Sequence, residues 1–407
     1  MKKTFIFLLT ICSILQVNAE SFSARLQKYT QPSYWESLDL VPVITRDHLI
    51  AAIEATRVYY LNQQFKEGNF LYAMDLSSGK YYDDDNQVRQ AGALWGLSCL
   101  NRDRFTENTR RALLAGIDFF ERNQKKIPSG EIILSYPGED VLKTGTVALF
   151  CLSLIEFLIG QEEFLPVDIR QRYQDLLDQH LAYLQSMEMA DGSWAGQYDL
   201  PSGYREKVGS PYYDGEALLA YCRAARLLKR DKLLPRIRTA LPLLLEKYTV
   251  KCWEPGGDSD ETKGFYQWGS MACAEVVEAG WDNADLAAQA TLAMAWWQIY
   301  DNKLEARGGN TAYALEGLIA AWRIAKARND QKSMDLIRPV IERCLGRLMV
   351  WQVGGPFLKQ NPYLTHLPRI HPKAYGGVTS ALNSNIIRID NVQHQLHAML
   401  LALQYLY

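Results

Sequence analysis

The sequence predicts an all-α protein, an (α/α)6 toroid built from six outer-inner helical hairpins. Amphipathic helices with many charges alternate six times with helices that are rich in Ala, Gly and Ser and poor in charge. No stretch of comparable length shows the apolar-polar alternation of a half-buried β-strand. An inner ring of buried helices, covered by an outer ring of amphipathic helices, satisfies both patterns.

The outer helices are predicted from apolar residues at spacings of three and four with charged residues between them. Leu113, Ile117 and Phe120 show this spacing in the second outer helix. The predicted outer helices are Arg46–Gln64, Glu107–Lys125, Pro166–Glu188, Lys232–Val250, Asp282–Tyr300 and Gln331–Val350.

The inner helices are predicted from runs of small and apolar residues with few charges, which indicate burial on most sides and close approach of helix backbones. The predicted inner helices are Gln87–Leu100, Lys143–Leu158, Asp214–Leu228, Tyr266–Ala279, Thr311–Ala327 and Asp390–Leu406. Their spacing along the chain varies, whereas an open solenoid repeats at a fixed period. Long loops on one side of each hairpin are typical of a closed scaffold that carries a site.

The first nineteen residues have the pattern of a secretory signal peptide. Lys2 and Lys3 precede an apolar stretch, and Val17-Asn18-Ala19 is a small-x-small cleavage pattern. The apolar stretch is too short for a comfortable membrane span. We therefore expect a periplasmic or secreted protein with no stable membrane span after cleavage. The domain prediction is a signal peptide over 1–19, an irregular lead-in over 20–45 and one toroid over 46–407.

The charge content limits the kinds of partner that we expect, and the cysteine content indicates whether disulfides stabilise the fold. The 44 basic side chains fall to 42 when Lys2 and Lys3 leave with the leader, against 46 acidic side chains. Because no basic block stands out, nucleic acid is not expected as a partner. The six remaining cysteines lie mostly in apolar helices, so we expect small buried residues rather than a disulfide framework. Cys252, beside a loop, is the one that could pair. No spacing suggests a metal site, and no cofactor is expected.

The alternation of outer and inner helices resembles the superfamily of six-hairpin glycosidases, polysaccharide lyases and epimerases, and terpenoid cyclases. Gln185 to Trp194, QSMEMADGSW, resembles the Gln…Gly-x-Trp repeat of the cyclase branch, and Asp-Gly-Ser-Trp also occurs in toroidal glycan enzymes. The resemblance implies that the loops before the inner helices open on one face. The first turns of those helices would then line one central pocket.

Three groups of residues at these positions are candidates for catalysis. Asp83, Asp84 and Asp85 form an aspartate run before the first inner helix, and YYDDD resembles the adjacent aspartates of six-hairpin enzymes that cleave mannan. Glycoside hydrolysis needs two carboxyl groups in opposite protonation states, but aspartates there also suit a helix N-terminus. The remaining candidates are Asp214 with Glu216, and His394, which lies one helical turn after Asp390.

Aromatic and basic residues at the same positions are candidates for substrate binding. Aromatic faces pack on sugar rings, and basic groups suit uronate or phosphate. The predicted binding residues are Tyr82, Arg89, Tyr136, Lys143, Trp194, Tyr213, Tyr266, Trp268, Asn310, Arg388 and Asp390.

These residues favour an exported enzyme that acts on a polysaccharide or oligosaccharide, with an acidic sugar as one possibility. A glycoside hydrolase with paired carboxylates is the first hypothesis, and a lyase or epimerase for acidic sugars is its variant. A terpenoid-cyclase-like enzyme and a non-catalytic glycan-binding or assembly protein are the alternatives.

Overall fold

The computed structural model describes residues 41–127, 130–161, 164–253 and 259–407. The predicted signal peptide and most of the irregular lead-in lie outside these residues. In the described ranges the helices are α1 (Arg46–Gln63), α2 (Gln87–Asp103), α3 (Glu107–Arg122), α4 (Thr144–Gln161), α5 (Val167–Ser186), α6 (Pro211–Leu228), α7 (Leu234–Tyr248), α8 (Val250–Trp253), α9 (Asp260–Ala279), α10 (Ala284–Trp296), α11 (Ala312–Ala327), α12 (Gln331–Met349), α13 (Pro362–His366) and α14 (Ile389–Tyr405).

Six of these helices form a closed inner ring. In ring order, α2, α4, α6, α9, α11 and α14 each contact the next, and α14 contacts α2. The outer helices α3, α5, α7, α10 and α12 each pack on the inner helix that precedes them, and α1 packs on α14. The predicted all-α toroid is confirmed.

Small residues allow the inner helices to approach closely. A Cβ atom at Gly215 on α6 would lie 2.6 Å from the Trp268 Cβ and 3.3 Å from the Gly269 backbone nitrogen on α9. Outer helix α3 shows the complementary pattern, because Leu113, Ile117 and Phe120 are buried against the ring. The difference between buried and amphipathic helices, visible in the sequence, therefore becomes the difference between the two rings.

The starts of two inner helices lie three or more residues upstream of the predicted starts. Helix α9 begins at Asp260 rather than Tyr266, since the Ser259 side chain accepts the Thr262 N–H and caps the helix. Helix α6 begins at Pro211 rather than Asp214, with proline in its first turn. Both helices therefore bring additional residues to the amino-terminal end of the ring.

Short antiparallel sheets connect the loops at this amino-terminal end. The strands are β1 (Ala73–Asp75), β2 (Gln124–Lys126), β3 (Ile132–Leu134), β4 (Val141–Lys143), β5 (Gln197–Asp199), β6 (Tyr204–Arg205) and β7 (Ile386–Arg388). Strand β1 pairs with β7, with Ala73 opposite Arg388. Strand β2 pairs with β3, and β5 lies between β4 and β6. The β1–β7 pair sets the position of Arg388, directly before α14.

The core lies between and within the two rings. Helix α4 is apolar and long enough to cross a membrane, but 89% of its apolar segment is buried inside the protein. This burial is expected for a helix of the inner ring. Five of the six described cysteines are buried, and all six are free thiols. Cys252 is half-buried, and its Sγ lies 3.1 Å from the Lys247 carbonyl oxygen.

Buried charges connect the carboxyl-terminal halves of the inner helices, and we call this group the ion belt. It consists of Arg102, Glu156, Arg223, Arg226, Glu275, Glu278 and Arg323. Positive and negative residues alternate from α2 through α4, α6 and α9 to α11, and Arg323 lies over the Tyr405 ring of α14 at 4.4 Å. The belt thus links all six inner helices at the end opposite the loops.

Candidate active site

A cavity of about 380 Å³ opens at the amino-terminal end of the inner ring. Most of its lining comes from the first turns of α2, α6, α9, α11 and α14 and from the loops before them. The lining residues are Asn86, Val88, Arg89, Gly92, Leu149, Ser210, Tyr212, Tyr213, Glu216, Lys263, Gln267, Trp268, Asn310, Tyr313, Arg388, Asp390, Asn391, Gln393 and His394.

A buried glutamate beneath the cavity holds two histidines of α14. Glu316 of α11 is fully buried, and its carboxylate oxygens lie 3.2 Å from His394 Nδ1 and 2.9 Å from His397 Nδ1. Gln267 Nε2 donates to the same carboxylate at 2.9 Å. Burial alone raises the pKa of Glu316, but the charges and hydrogen bonds of the two histidines outweigh it and lower the pKa.

This arrangement fixes the protonation pattern of the His394 ring. A carboxylate only accepts hydrogen bonds, so Nδ1 carries the hydrogen that faces Glu316. In the neutral ring the lone pair is then on Nε2, and His394 lines the cavity. Nε2 is therefore the ring nitrogen that can accept a proton, which is the arrangement that a general base requires.

Glu216 of α6 faces the same cavity in the opposite electrostatic environment. Its Oε2 is buried and has no hydrogen-bond partner among the described residues. Gly145 of α4 leaves the space for this carboxyl group, because a Cβ atom there would collide with Oε2. Burial raises the pKa of Glu216 well above its ordinary value. This shift favours the protonated form of Glu216, which can donate a hydrogen bond.

Two arginines and one aspartate form an ion cluster on the wall of the cavity. Arg388 contacts Asp390 through two hydrogen bonds of 2.6 and 2.8 Å. Arg89 Nε lies 3.2 Å from the same carboxylate. Lys263 of α9 also lines the cavity. The contacts engage both oxygens of the Asp390 carboxylate with guanidinium groups.

Aromatic rings contribute to the wall beside His394. Trp268 packs on His394 with ring centroids 6.0 Å apart, and Tyr313 lies 6.5 Å from the same ring. Tyr212 is 46% exposed at the mouth. Aromatic faces of this kind can pack against the C–H surface of a sugar ring.

The structure brings eight of the predicted site residues together around the cavity. These are Arg89, Tyr213, Glu216, Trp268, Asn310, Arg388, Asp390 and His394. They come from five different inner helices or the loops before them, as the toroid prediction requires. Their catalytic and binding roles stay predictions, since they rest on position and geometry.

The aspartate run lies outside the cavity lining. Asp83, Asp84 and Asp85 are exposed, as is Tyr82 beside them. The Asp85 carboxylate accepts hydrogen bonds from the Tyr136 hydroxyl at 2.5 Å and from Gln90 at 2.8 Å. The α2 cap is Asn86, whose side chain accepts the Arg89 N–H. The contacts of Asp85 and Tyr136 therefore stabilise the loop before α2.

Asp214 and Trp194 form a hydrogen bond with each other outside the cavity lining. Asp214 accepts the Trp194 N–H at 2.8 Å and the Tyr248 hydroxyl at 2.5 Å. It lies inside the first turn of α6 and is not its cap. Burial raises the pKa of Asp214 to about 6, against the lowering effect of these two donors. These contacts anchor the Asp-Gly-Ser-Trp turn to α6 and α7.

Two further predicted binding residues make structural contacts outside the lining. The Lys143 N–H donates to the Gln87 side chain at 2.9 Å and joins β4 to α2. Tyr266 is fully buried, and its hydroxyl donates to the Ala314 carbonyl oxygen at 3.3 Å. Both residues hold neighbouring elements of the inner ring together.

Sequence analysis assigned no role to several residues of the site. Glu316, Gln267 and Tyr313 lie in the correct helices, but only packing shows that Glu316 meets two histidines. Lys263 was missed because α9 was predicted to begin at Tyr266. The signal that could have found it is Ser259 followed by Asp260 and Glu261, a capping residue with acids in the first turn.

The described residues contain no group of three or more His, Cys, Asp or Glu side chains arranged to hold a metal ion.

Solved structures share this architecture at low sequence identity. A D-mannose isomerase superposes with a TM-score of 0.60 and 14% identity, over 88% of this chain and 98% of that chain. The cellobiose 2-epimerase from Bacillus thermoamylovorans B4167 has a TM-score of 0.59 and 10% identity, over 87% and 98%. A family 76 glycoside hydrolase from a bovine Bacteroides thetaiotaomicron strain has a TM-score of 0.59 and 10% identity, over 88% and 78%.

No protein-family model and no curated protein sequence matches this chain. At these identities the likeness shows the fold alone, and it shows no single family. The chain is an (α/α)6 toroid, as the sequence predicted.

Proposed function

We propose that this protein is a sugar-active enzyme in which His394 and Glu216 transfer protons at one cavity. The observation that carries the proposal is a histidine whose Nδ1 is held by buried Glu316, facing a cavity that also contains the unpartnered Glu216. An oriented base and a carboxyl group in its acid form are the two parts of general acid-base catalysis. The toroids that resemble this chain include an isomerase, an epimerase and a glycoside hydrolase.

Proton transfer next to a sugar carbonyl is the reaction that this pair supports best. His394 Nε2 would take the proton from the carbon beside the carbonyl of an open-chain sugar. The electron pair would move to the carbonyl oxygen, which receives a hydrogen bond from protonated Glu216. Return of the proton to the same carbon from the other face re-forms the carbonyl and gives an epimer. Transfer of the proton to the former carbonyl carbon gives an isomer, provided that Glu216 protonates the former carbonyl oxygen and takes back the proton of the neighbouring hydroxyl, which becomes the new carbonyl.

Glycoside hydrolysis is the second candidate, because two carboxyl groups line the cavity in different surroundings. Glu216 would protonate the leaving oxygen, and Asp390 would be the second carboxylate. Arginines already engage both oxygens of Asp390, which leaves them less free to contact a water or a sugar carbon, so proton transfer at carbon ranks first. An acidic substrate is part of the proposal on the basis of the arginines and Lys263.

Export to the periplasm or the medium is also a proposal. It is supported by the basic residues, apolar stretch and cleavage pattern of residues 1–19. Detection of a mature N-terminus at Glu20 in an exported fraction would test it.

The test of the activity is solvent exchange. The purified protein is incubated in D₂O with a panel of reducing sugars and uronates, and NMR follows deuterium at the carbon beside the carbonyl and the appearance of a new sugar. Deuterium incorporation that falls at least about 100-fold in His394→Asn would support the proposal. His366→Gln, away from the cavity, is the matched control.

Two outcomes would contradict this assignment. Release of reducing ends from polysaccharides without deuterium exchange would favour hydrolysis. An Asp84→Asn variant that loses activity as fully as His394→Asn would move the chemistry to the aspartate run.

A further inference from the structure

The ion cluster on the cavity wall has more positive than negative charge. Asp390 supplies one carboxylate, whereas Arg388 and Arg89 both contact it. Arginine stays protonated in proteins, so the three side chains together have one excess positive charge. The Arg89 side chain is 37% exposed and Arg388 is 35% exposed, which leaves part of each guanidinium accessible to a ligand.

Lys263 adds a second positive charge to the lining. It lies in the first turn of α9, and its ion-pair partner is Asp260 at 4.0 Å. The Asp260 side chain is fully exposed, and such a surface pair contributes little. The Lys263 ammonium is therefore available to a ligand in the cavity.

The acidic residues nearby do not cancel this charge. Asp390 and Glu216 are the acidic residues of the lining. Burial raises the pKa of Glu216 well above its ordinary value and so favours the uncharged carboxyl group. Glu316 accepts hydrogen bonds from His394 and His397 beneath the lining, and its one carboxylate together with Asp390 still leaves the three cationic side chains in excess. The inner helices add the positive ends of their dipoles on the same side.

We propose that the cavity binds a sugar with a negatively charged group, a carboxylate or a phosphate, held by Arg89, Arg388 and Lys263. The sugar ring would lie against Trp268 and Tyr313, which places the charged group on the wall and the reacting carbon near His394. Planar guanidinium groups match both carboxylate and phosphate oxygens. The inference rests on the proposed function, because it specifies the substrate class of the same site.

The first experiment measures binding without turnover. Calorimetry compares an uncharged hexose with the matching hexuronate and hexose 6-phosphate, at low and at high salt. We expect one or both anionic sugars to bind at least about tenfold more tightly than the hexose, with a preference that decreases as salt screens the charges. Tighter uronate binding assigns a carboxylate, and tighter phosphate binding assigns a phosphate. Equal affinities, or no binding of either anionic sugar, would overturn the proposal.

The second experiment removes one charge while leaving the ion cluster intact. Lys263→Gln should reduce the affinity ratio between the anionic and the uncharged sugar by about fivefold or more. The matched control is Lys232→Gln, which removes an exposed lysine after the carboxyl end of α6. Thermal unfolding of both variants checks the fold. An unchanged ratio in Lys263→Gln would contradict the role of this lysine and the proposal.

The two proposals fail in different ways. Binding of an anionic sugar without deuterium exchange would refute the proposed reaction and retain the anion site. Exchange of an uncharged sugar, with no preference for its anionic counterpart, would retain the reaction and refute the anion site.

Discussion

The buried glutamates of the ion belt, at one end of the inner ring, and Glu216, at the other end, have opposite electrostatic surroundings. At the carboxyl-terminal end, the ion belt pairs each buried glutamate with arginines of neighbouring helices: Glu156 contacts Arg102 and Arg223, and Glu275 contacts Arg223 and Arg226. At the amino-terminal end, Glu216 is equally buried but unpartnered.

The pKa values follow this difference. Burial alone raises the pKa of Glu156 and of Glu275, but their arginines outweigh it and lower both values. Burial raises the pKa of Glu216 without compensation. The paired charges of the ion belt therefore connect the inner helices at one end of the ring. At the other end, Glu216 faces a cavity without a charged partner. The comparison indicates that arginine contacts, rather than burial, separate the structural glutamates of the ion belt from Glu216.

The largest expected effect on stability is at the ion belt. Glu275→Gln leaves Arg223 and Arg226 without this carboxylate in a buried environment, so the free energy of unfolding should fall by about 3–5 kcal/mol. Urea unfolding of the purified protein measures it. Glu278→Gln, at a residue that is 26% exposed, is the matched control and should cost clearly less. A decrease in the free energy of unfolding of less than about 1 kcal/mol in Glu275→Gln would contradict a stabilising role of the ion belt.

The same substitution at the cavity should act on activity instead. Glu216→Gln keeps the shape of the side chain but cannot donate a proton, so the rate of deuterium exchange should fall about 100-fold, which is about 3 kcal/mol. The free energy of unfolding at pH 7 should stay equal or rise, because a costly buried acid is removed. Exchange measurements and urea unfolding of one preparation test both parts. Lower stability with full activity would reverse the comparison.

A third prediction concerns pH at Asp214, another buried acid near the amino-terminal end. Its pKa in the folded protein is about 6, above the ordinary 3.8. A raised folded pKa means that the contribution to stability is fully present below about pH 3.8 and is lost as pH rises through 6. Asp214→Asn does not titrate, so the stability of the wild type relative to this variant should fall by at most about 3 kcal/mol across that window. Unfolding curves from pH 3.5 to 7 measure it, and parallel pH profiles would contradict it.

The smallest effect is expected outside both ends. Glu107 and Arg110 form an exposed pair on outer helix α3, 3.1 Å apart. Such pairs contribute little in water, so Glu107→Gln should change the free energy of unfolding by less than about 0.5 kcal/mol. Urea unfolding with Glu275→Gln in the same series sets the scale. If Glu107→Gln lowered the free energy of unfolding about as much as Glu275→Gln, the ion pairs of the belt would contribute no more to stability than an exposed pair.

The sequence by itself determined the two-ring fold, because helical periodicity and the contrast between charged and small-residue helices are local properties of the chain. It also placed Glu216, His394, Arg388 and Asp390 at the ends of inner helices, where the structure finds the cavity. One omission at the site came from a helix start: an unrecognised Ser259 cap displaced the start of α9 and hid Lys263.

Tertiary structure alone decided which carboxyl groups differ in state. Asp83, Asp84, Asp85, Asp214, Glu216 and Glu316 are all acids near helix starts. Packing alone buries Glu216 without a hydrogen-bond partner and places two histidines beside Glu316. It leaves the aspartate run exposed to solvent. The physical reason is that a pKa depends on desolvation and on charges from other helices. Those neighbours are brought together by ring closure, which no local pattern in the sequence specifies.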